Sequence, residues 1–266
     1  MSAIAADPVH APALVRKVPM GRIVRVELRK MLDTRSGFWL LASIAITAML
    51  ATGAVILWAP DAETTYSTFV TAIGLPMAVI LPLVAILSVT GEWSQRSGLT
   101  TFTLVPHRHR IITAKAVSAV VVGIAAVLLA FGIGALGNLL AAAVTSAPLV
   151  WNVTLTEFWY FGLGSVLGLL IGFMLGILVR ASAGAIAAYF VYSFLLPTIF
   201  AVLAANQKWF ADLQPWVDFQ FAQGALTNFD GTLSAEQWAN IAVTGVIWLL
   251  LPLAIGLWLV MRAEVK

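Results

Sequence analysis

Residues 116–144 read AVSAVVVGIAAVLLAFGIGALGNLLAAAV, a run without a single Asp, Glu, Lys or Arg. A hydrocarbon core about 30 Å thick is crossed by about 20 apolar residues in a helix, so this run is long enough to span a bilayer. Five more charge-free runs surround it, at residues 37–58, 71–89, 158–179, 184–203 and 241–261. Residues 180–183, Arg-Ala-Ser-Ala, are all that divides the fourth run from the fifth. One span over both would be about 40 residues or more, too long even when tilted, so a tight turn is expected there. Composition agrees: 61% of the 266 residues are hydrophobic and 10% charged, against about a quarter charged in soluble domains. The fold class expected is an all-α membrane protein with six transmembrane helices. Residues 1–19 are expected to form a disordered leader and residues 20–266 a single transmembrane domain.

Basic residues orient the spans. Arg16, Lys17, Arg22, Arg25, Arg29, Lys30 and Arg35 precede the first span, and Arg96, Arg108, Arg110 and Lys115 lie between the second and third. Arg180, Arg262 and Lys266 fall on the same side, leaving Lys208 alone on the other. The positive-inside rule makes the rich side cytoplasmic, with both termini there and the chain in the cell membrane. Asp61, Glu63, Glu157, Asp212, Asp218, Asp230 and Glu236 all fall outside. The +3 net charge is thus a topology signal, and no nucleic-acid partner is expected. No cleavable signal peptide is visible, because the charges of the leader come at its end.

Several segments carry more than topology. Met20, Val24, Leu28 and Met31 share one helical face while Arg22, Arg25, Arg29 and Asp33 share the opposite one. Such a helix lies in the interface, apolar side toward lipid and arginines toward anionic headgroups. Phe38, Trp39 and Trp58 then mark the two ends of the first span, as interfacial aromatics do. Residues 91–115 are too polar to cross, yet they hold Trp93, Leu99, Phe102, Leu104 and Val105. A short helix from Glu92, ended at Gly98, would display those apolar residues to the groove of a partner protein. Gly164, Gly168, Gly172 and Gly176 stack small residues along one face of the fourth span and allow close approach of another helix. Prolines 76, 82, 197 and 252 interrupt spans and are expected to kink them. The aromatic outer segment 204–240 is expected to form short interfacial or re-entrant helices, with Ser234-Ala-Glu-Gln237 as the capping box of the last helix. Asn152-Val-Thr154 fits a glycosylation sequon.

Some chemistry is missing from the sequence. There is no Walker loop, no Ser-His-Asp set and no cysteine. His107 and His109, two residues apart with no carboxylate or Cys nearby, make a poor metal site. No catalytic residue, metal or cofactor is therefore assigned to this chain. The spans offer polar groups such as Ser43, Thr47, Asn138, Tyr189 and Tyr192 but no ionisable carboxylate or amine, which disfavours a proton-coupled carrier.

In sum of its ordered motifs the chain resembles the ABC-2-type permeases, the membrane subunits of ATP-driven bacterial exporters. The resemblance begins at Val26-Glu-Leu-Arg-Lys-Met-Leu-Asp-Thr-Arg35 before Phe38-Trp39 and is most specific at Glu92, Arg96, Gly98-Leu-Thr100, Leu104-Val-Pro106, Arg110 and Lys115. Arg180-Ala-Ser-Ala-Gly-Ala185 and the terminal Leu259-Val-Met-Arg-Ala-Glu-Val-Lys266 are also similar to family endings, with Ala263 departing from an Arg. The resemblance implies a type V exporter-like fold with an N-terminal elbow helix bearing Arg22, Arg25 and Arg29 and a cytoplasmic coupling helix between spans two and three. It implies two ATPase subunits, which bind the ATP and Mg, and a second permease chain, a homodimer. Glu92 and Arg96 would hold the coupling helix, Leu99 and Phe102 would dock on the ATPase, and Pro106 and Arg110 would set the start of span three. The cargo implied by uncharged spans is hydrophobic or amphipathic: a drug, peptide antibiotic or lipid-like molecule. The alternative is a non-transporting scaffold or sensor subunit of a membrane complex.

Overall fold

The computed structural model describes residues 18–94, 108–228 and 231–262, and every regular element among them is helical. Helix α1, Met20–Asp33, turns into α2, Arg35–Trp58, at Thr34, whose hydroxyl accepts from the Gly37 amide at 3.2 Å. The corner is tight: a Cβ on Gly37 would stand 2.0 Å from the Met31 carbonyl oxygen, so only glycine fits. A short 3₁₀ turn, Asp61–Glu63, leads to α3, Tyr66–Ser94. Next come α4, Arg108–Val144, and α5, Leu155–Val179. The fifth crossing helix comprises α6, Ser182–Phe190, a π turn at Val191–Leu195, and α7, Leu196–Asn206. Helices α8, Lys208–Val217, and α9, Phe219–Gly224, form the aromatic segment. The last crossing helix joins α10, Ala235–Gly245, to α11, Leu251–Arg262, through a second π turn at Val246–Leu250. Six of these helical stretches are long and apolar enough to cross a membrane, which makes the chain a multi-pass membrane protein.

Helix α3 is the axis of the bundle. Phe69, Ile73, Met77, Leu81 and Ile86 are wholly enclosed between α2, α4 and α5. One apolar cluster joins α2 through Ile44 and Ala48 to α3, α4, α5 and Val260 of α11. A second packs Ile86, Ile171 and Met174 against Ala185, Tyr189, Phe219, Ile241 and Leu249. The outer faces of the first, fifth and sixth crossing helices remain exposed, as lipid-facing surface does. Phe38 and Trp39 at one end of α2 and Trp58 at the other are exposed.

The division between the fourth and fifth spans is sharp. Arg180 takes a left-handed conformation, φ 57°, and its amide donates to the Gly176 carbonyl at 3.1 Å, closing α5. At the other end, Thr154 and Glu157 cap α5 reciprocally, and Ser234 and Gln237 do the same for α10. Asn152 is committed to structure: its side-chain nitrogen donates to Ser67 Oγ at 2.8 Å and Thr65 Oγ1 at 3.2 Å. The atom a glycan would modify is thus already engaged.

Both π turns have the same cause. A proline ring clashes with the carbonyl four residues earlier and offers no amide. Pro197 and Pro252 each follow a π turn by two residues, and the Leu196 and Leu251 amides donate back five residues, to Val191 and Val246. The widened turn absorbs the clash.

Two expectations need correction. The third span was expected to begin at Ala116, but α4 is helical from Arg108 and Lys115 lies within it. The buried stripe of α1 is Ile23, Glu27 and Met31, while Met20, Val24 and Leu28 are half-buried. A glutamate sits where apolar residues alone were expected, and Lys115 explains both departures.

Candidate functional site

Two places in the bundle concentrate polar chemistry. The first is at the end where the basic residues gather. Glu27 of α1 is buried, with Oε2 accepting from Lys115 Nζ at 2.7 Å and Oε1 from Lys30 Nζ at 2.8 Å. Lys115 also donates to the Ser88 carbonyl of α3 at 3.1 Å. Around this pair the Ser118 hydroxyl donates to the Val24 carbonyl at 3.2 Å, and the Arg110 guanidinium donates to the Val18 carbonyl. Two residues of α4, Lys115 and Ser118, therefore hold α1, a third holds the chain just before it, and Lys115 reaches α3 as well. Nearby, Thr90 of α3 and Ser182 of α6 share a hydrogen bond of 2.8 Å.

Burial alone would push the Glu27 carboxyl up, but Lys115 and then Lys30 outweigh it and hold the carboxyl below its ordinary range. A group with a lowered folded pKa contributes stability above its unfolded value, and that contribution is lost as pH falls through the folded value. Thermal midpoints of the purified protein should therefore be flat with respect to this pair down to about pH 4.5 and fall below it. Lys115→Met should remove that acid limb, and an unchanged limb would show that Glu27 does not cause it.

Of the residues the sequence assigns to partner coupling, the structure places few. Arg96, Gly98, Leu99, Phe102 and Pro106 lie outside the described residues, and Glu92 falls in the last turn of α3 with its side chain outside them. Arg110 lies in the first turn of α4 and grips the strand of chain before α1. Arg22, Arg25 and Arg29 are exposed on α1, with Arg29 near Asp33 at 3.8 Å.

The second place is a cavity of about 450 Å³ between α3, α5 and the π turn Val191–Leu195, covered by α9 and residues 224–228. The glycine stripe of α5 divides here. A Cβ on Gly172 would lie 2.4 Å from the Pro82 carbonyl oxygen, and one on Gly176 would lie 3.2 Å from Val89, so these two press against α3. Gly164 and Gly168 instead line the cavity, and a Cβ on Gly168 meets nothing within 4 Å.

The π turn supplies the cavity's polar wall. Tyr189 donates from its hydroxyl to the Ala78 carbonyl of α3 at 2.5 Å, fixing α6 against it. Three residues on, the Tyr192 hydroxyl is buried without a hydrogen-bond partner, and so is Gln223 Nε2 of α9. Ser193 Oγ lies beside the Tyr189 hydroxyl and interacts with it. The Tyr192 ring packs on Trp248 of the other π turn at 5.8 Å, and Trp248 donates to the Val217 carbonyl at 2.7 Å. Among the described lining residues none is charged.

Several other polar groups of the spans are spent locally, although Thr52 Oγ1, Asn138 Oδ1 and Asn240 Oδ1 are also buried without a partner. Ser43 donates to the Leu40 carbonyl at 2.6 Å, Thr47 to Ser43 at 2.7 Å, and Asn138 to Val150 at 3.0 Å. Gln223 was invisible to a reading of the spans, because it belongs to the segment between them. Set beside known proteins, the chain matches no family model and no curated sequence.

Proposed function

We propose that this chain is the membrane-spanning permease of an exporter powered by a separate ATPase. The observation that carries the reading is the buried Glu27–Lys115 pair. It joins α1, α3 and α4 at the base of the loop between α3 and α4, the loop whose residues resemble the family's coupling helix. A push on that loop would then move three elements together, and a two-state bundle can be biased from outside in this way.

The rest of the reading follows from charge. The crossing helices hold no ionisable side chain at depth apart from tyrosines, so ion coupling within them has little to work with. Energy would enter from the basic side, taken as cytoplasmic with both termini there. The exposed faces of the first and fifth crossing helices would meet lipid and a second copy of the chain. The cargo class is hydrophobic or amphipathic.

Coexpression with an ABC-type ATPase, should a neighbouring gene encode one with a Walker loop, tests this directly. A stable complex should copurify, and proteoliposomes holding it should move an amphipathic dye only with ATP. Glu92→Ala should lower that transport at least about tenfold while leaving folding intact. Failure to form any complex, together with no dye movement with or without ATP, would leave the scaffold reading in its place.

A further inference from the structure

We infer that the cavity between α3, α5 and the Val191–Leu195 turn binds one uncharged amphipathic molecule, with its oxygen-bearing head on Tyr192 and Gln223 and its apolar tail toward lipid. The inference deepens the exporter reading, on which it rests only for calling the ligand cargo.

The head position follows from hydrogen-bond accounting. A buried hydroxyl or amide left unpaired costs about 1–3 kcal/mol, and buried polar groups are nearly always satisfied. Tyr192 and Gln223 both line the cavity, and Tyr192 Oη and Gln223 Nε2 are buried without a hydrogen-bonded partner. Both can donate, so a small rotation of either side chain toward the cavity would meet an acceptor-rich group such as an ester, ether, amide or hydroxyl. An anion or cation would leave water for a site with no opposing charge among its described lining residues, which is costly. The head is therefore polar and neutral.

The tail follows from where the cavity opens. Leu75 of α3 and Phe194 of the π turn line it and are 71% and 53% exposed on the outer face of the bundle. Both positions lie within crossing helices, so the cavity opens toward the hydrocarbon layer there, while the exposed Thr227 and Asn228 line its other edge, outside the spans. Deeper in, Met77, Leu81, Phe161 and Ile171 offer apolar walls. The volume of about 450 Å³ lies within the range of about 300–1,000 Å³ usual for small-molecule sites. Gly168 keeps the interior open, since nothing stands within 4 Å of where its Cβ would be.

The test uses the full chain in phosphatidylcholine nanodiscs and a monoacylglycerol carrying a diazirine in its acyl chain. Photolabelling should saturate, be displaced by plain monoolein, and map to α3 and the Val191–Leu195 turn. The double variant Tyr192→Phe, Gln223→Leu should weaken binding at least about tenfold, as the loss of two hydrogen bonds does. Gly168→Leu should abolish saturable labelling without lowering the thermal midpoint, which keeps the test decisive should the double variant misfold. The same chain ending in a sulfate should label only in proportion to its concentration. Labelling that rises linearly with monoacylglycerol, persists in Gly168→Leu, or is matched by the sulfate overturns the inference. Solvent extraction of the purified protein separates the sources: a released neutral lipid marks a membrane ligand, and a clean extract with saturable labelling marks one from outside, either result leaving the site in place. Saturable labelling without ATP-driven export removes the exporter reading and keeps the site, and export with linear labelling does the reverse.

Discussion

Lys115→Met should destabilise the protein by about 3 kcal/mol or more, the usual cost of stripping one partner from a buried ion pair. Both side chains are 6% exposed, so water cannot take over the lost contact. Lys30 still reaches the other carboxylate oxygen at 2.8 Å, which places the loss at the lower end of the range of about 3–5 kcal/mol. The damage should be local before it is global. Amides of α1 should exchange with deuterium faster, because α1 loses its link to α4 and, through Lys115, to the Ser88 carbonyl. The double variant Glu27→Leu, Lys115→Met should recover most of the thermal midpoint, since an apolar pair of similar volume often replaces a buried ion pair without loss. Equal midpoints and equal exchange in all three proteins would mean that Ile23 and Met31 hold α1 without the charges.

The same pair shows where a sequence stops being readable. An apolar window ends at a charge, so Lys115 closes the third span on paper, although α4 runs on for two turns toward Arg108. Its partner is 88 residues away, and although helical spacing puts Glu27 on the face of Met20, Val24 and Met31, nothing within α1 names the lysine that pairs with it. The spans themselves were legible because bilayer thickness fixes their length and lipid forbids charge. The break at Arg180 was legible as a charge, while its left-handed backbone was not. Pro197 and Pro252 mark interruptions in the sequence, but the π turn that absorbs each one depends on the i→i+5 bonds actually formed. The cavity was the least legible feature. It is bounded by α3, α5, the turn at Val191–Leu195 and α9, and its space comes from side chains that Gly164 and Gly168 lack.

That stripe supplies the second large effect, a contrast between two glycines one helical turn apart. Gly172→Leu should be severely destabilising, because even its Cβ would stand 2.4 Å from the Pro82 oxygen and 2.7 Å from the Pro82 Cα. Backbone cannot yield as a flexible side chain can, so α3 and α5 must separate, and overpacking of this kind costs about 1–3 kcal/mol or more. The contact concerned is central: Leu81 on α3 and Ile171 on α5 flank it and are fully enclosed. Gly168→Leu carries the same change in helix propensity, a gain of about 0.8–1 kcal/mol over glycine, and has open space for its Cβ. Its midpoint should hold or rise, whereas Gly172→Leu should lower expression and thermal midpoint together. Size-exclusion profiles and thermal scans of the two variants in one detergent decide the matter. Equal loss in both would mean that the whole stripe packs against a neighbour, and that the space beside Gly168 is filled in the membrane by another helix.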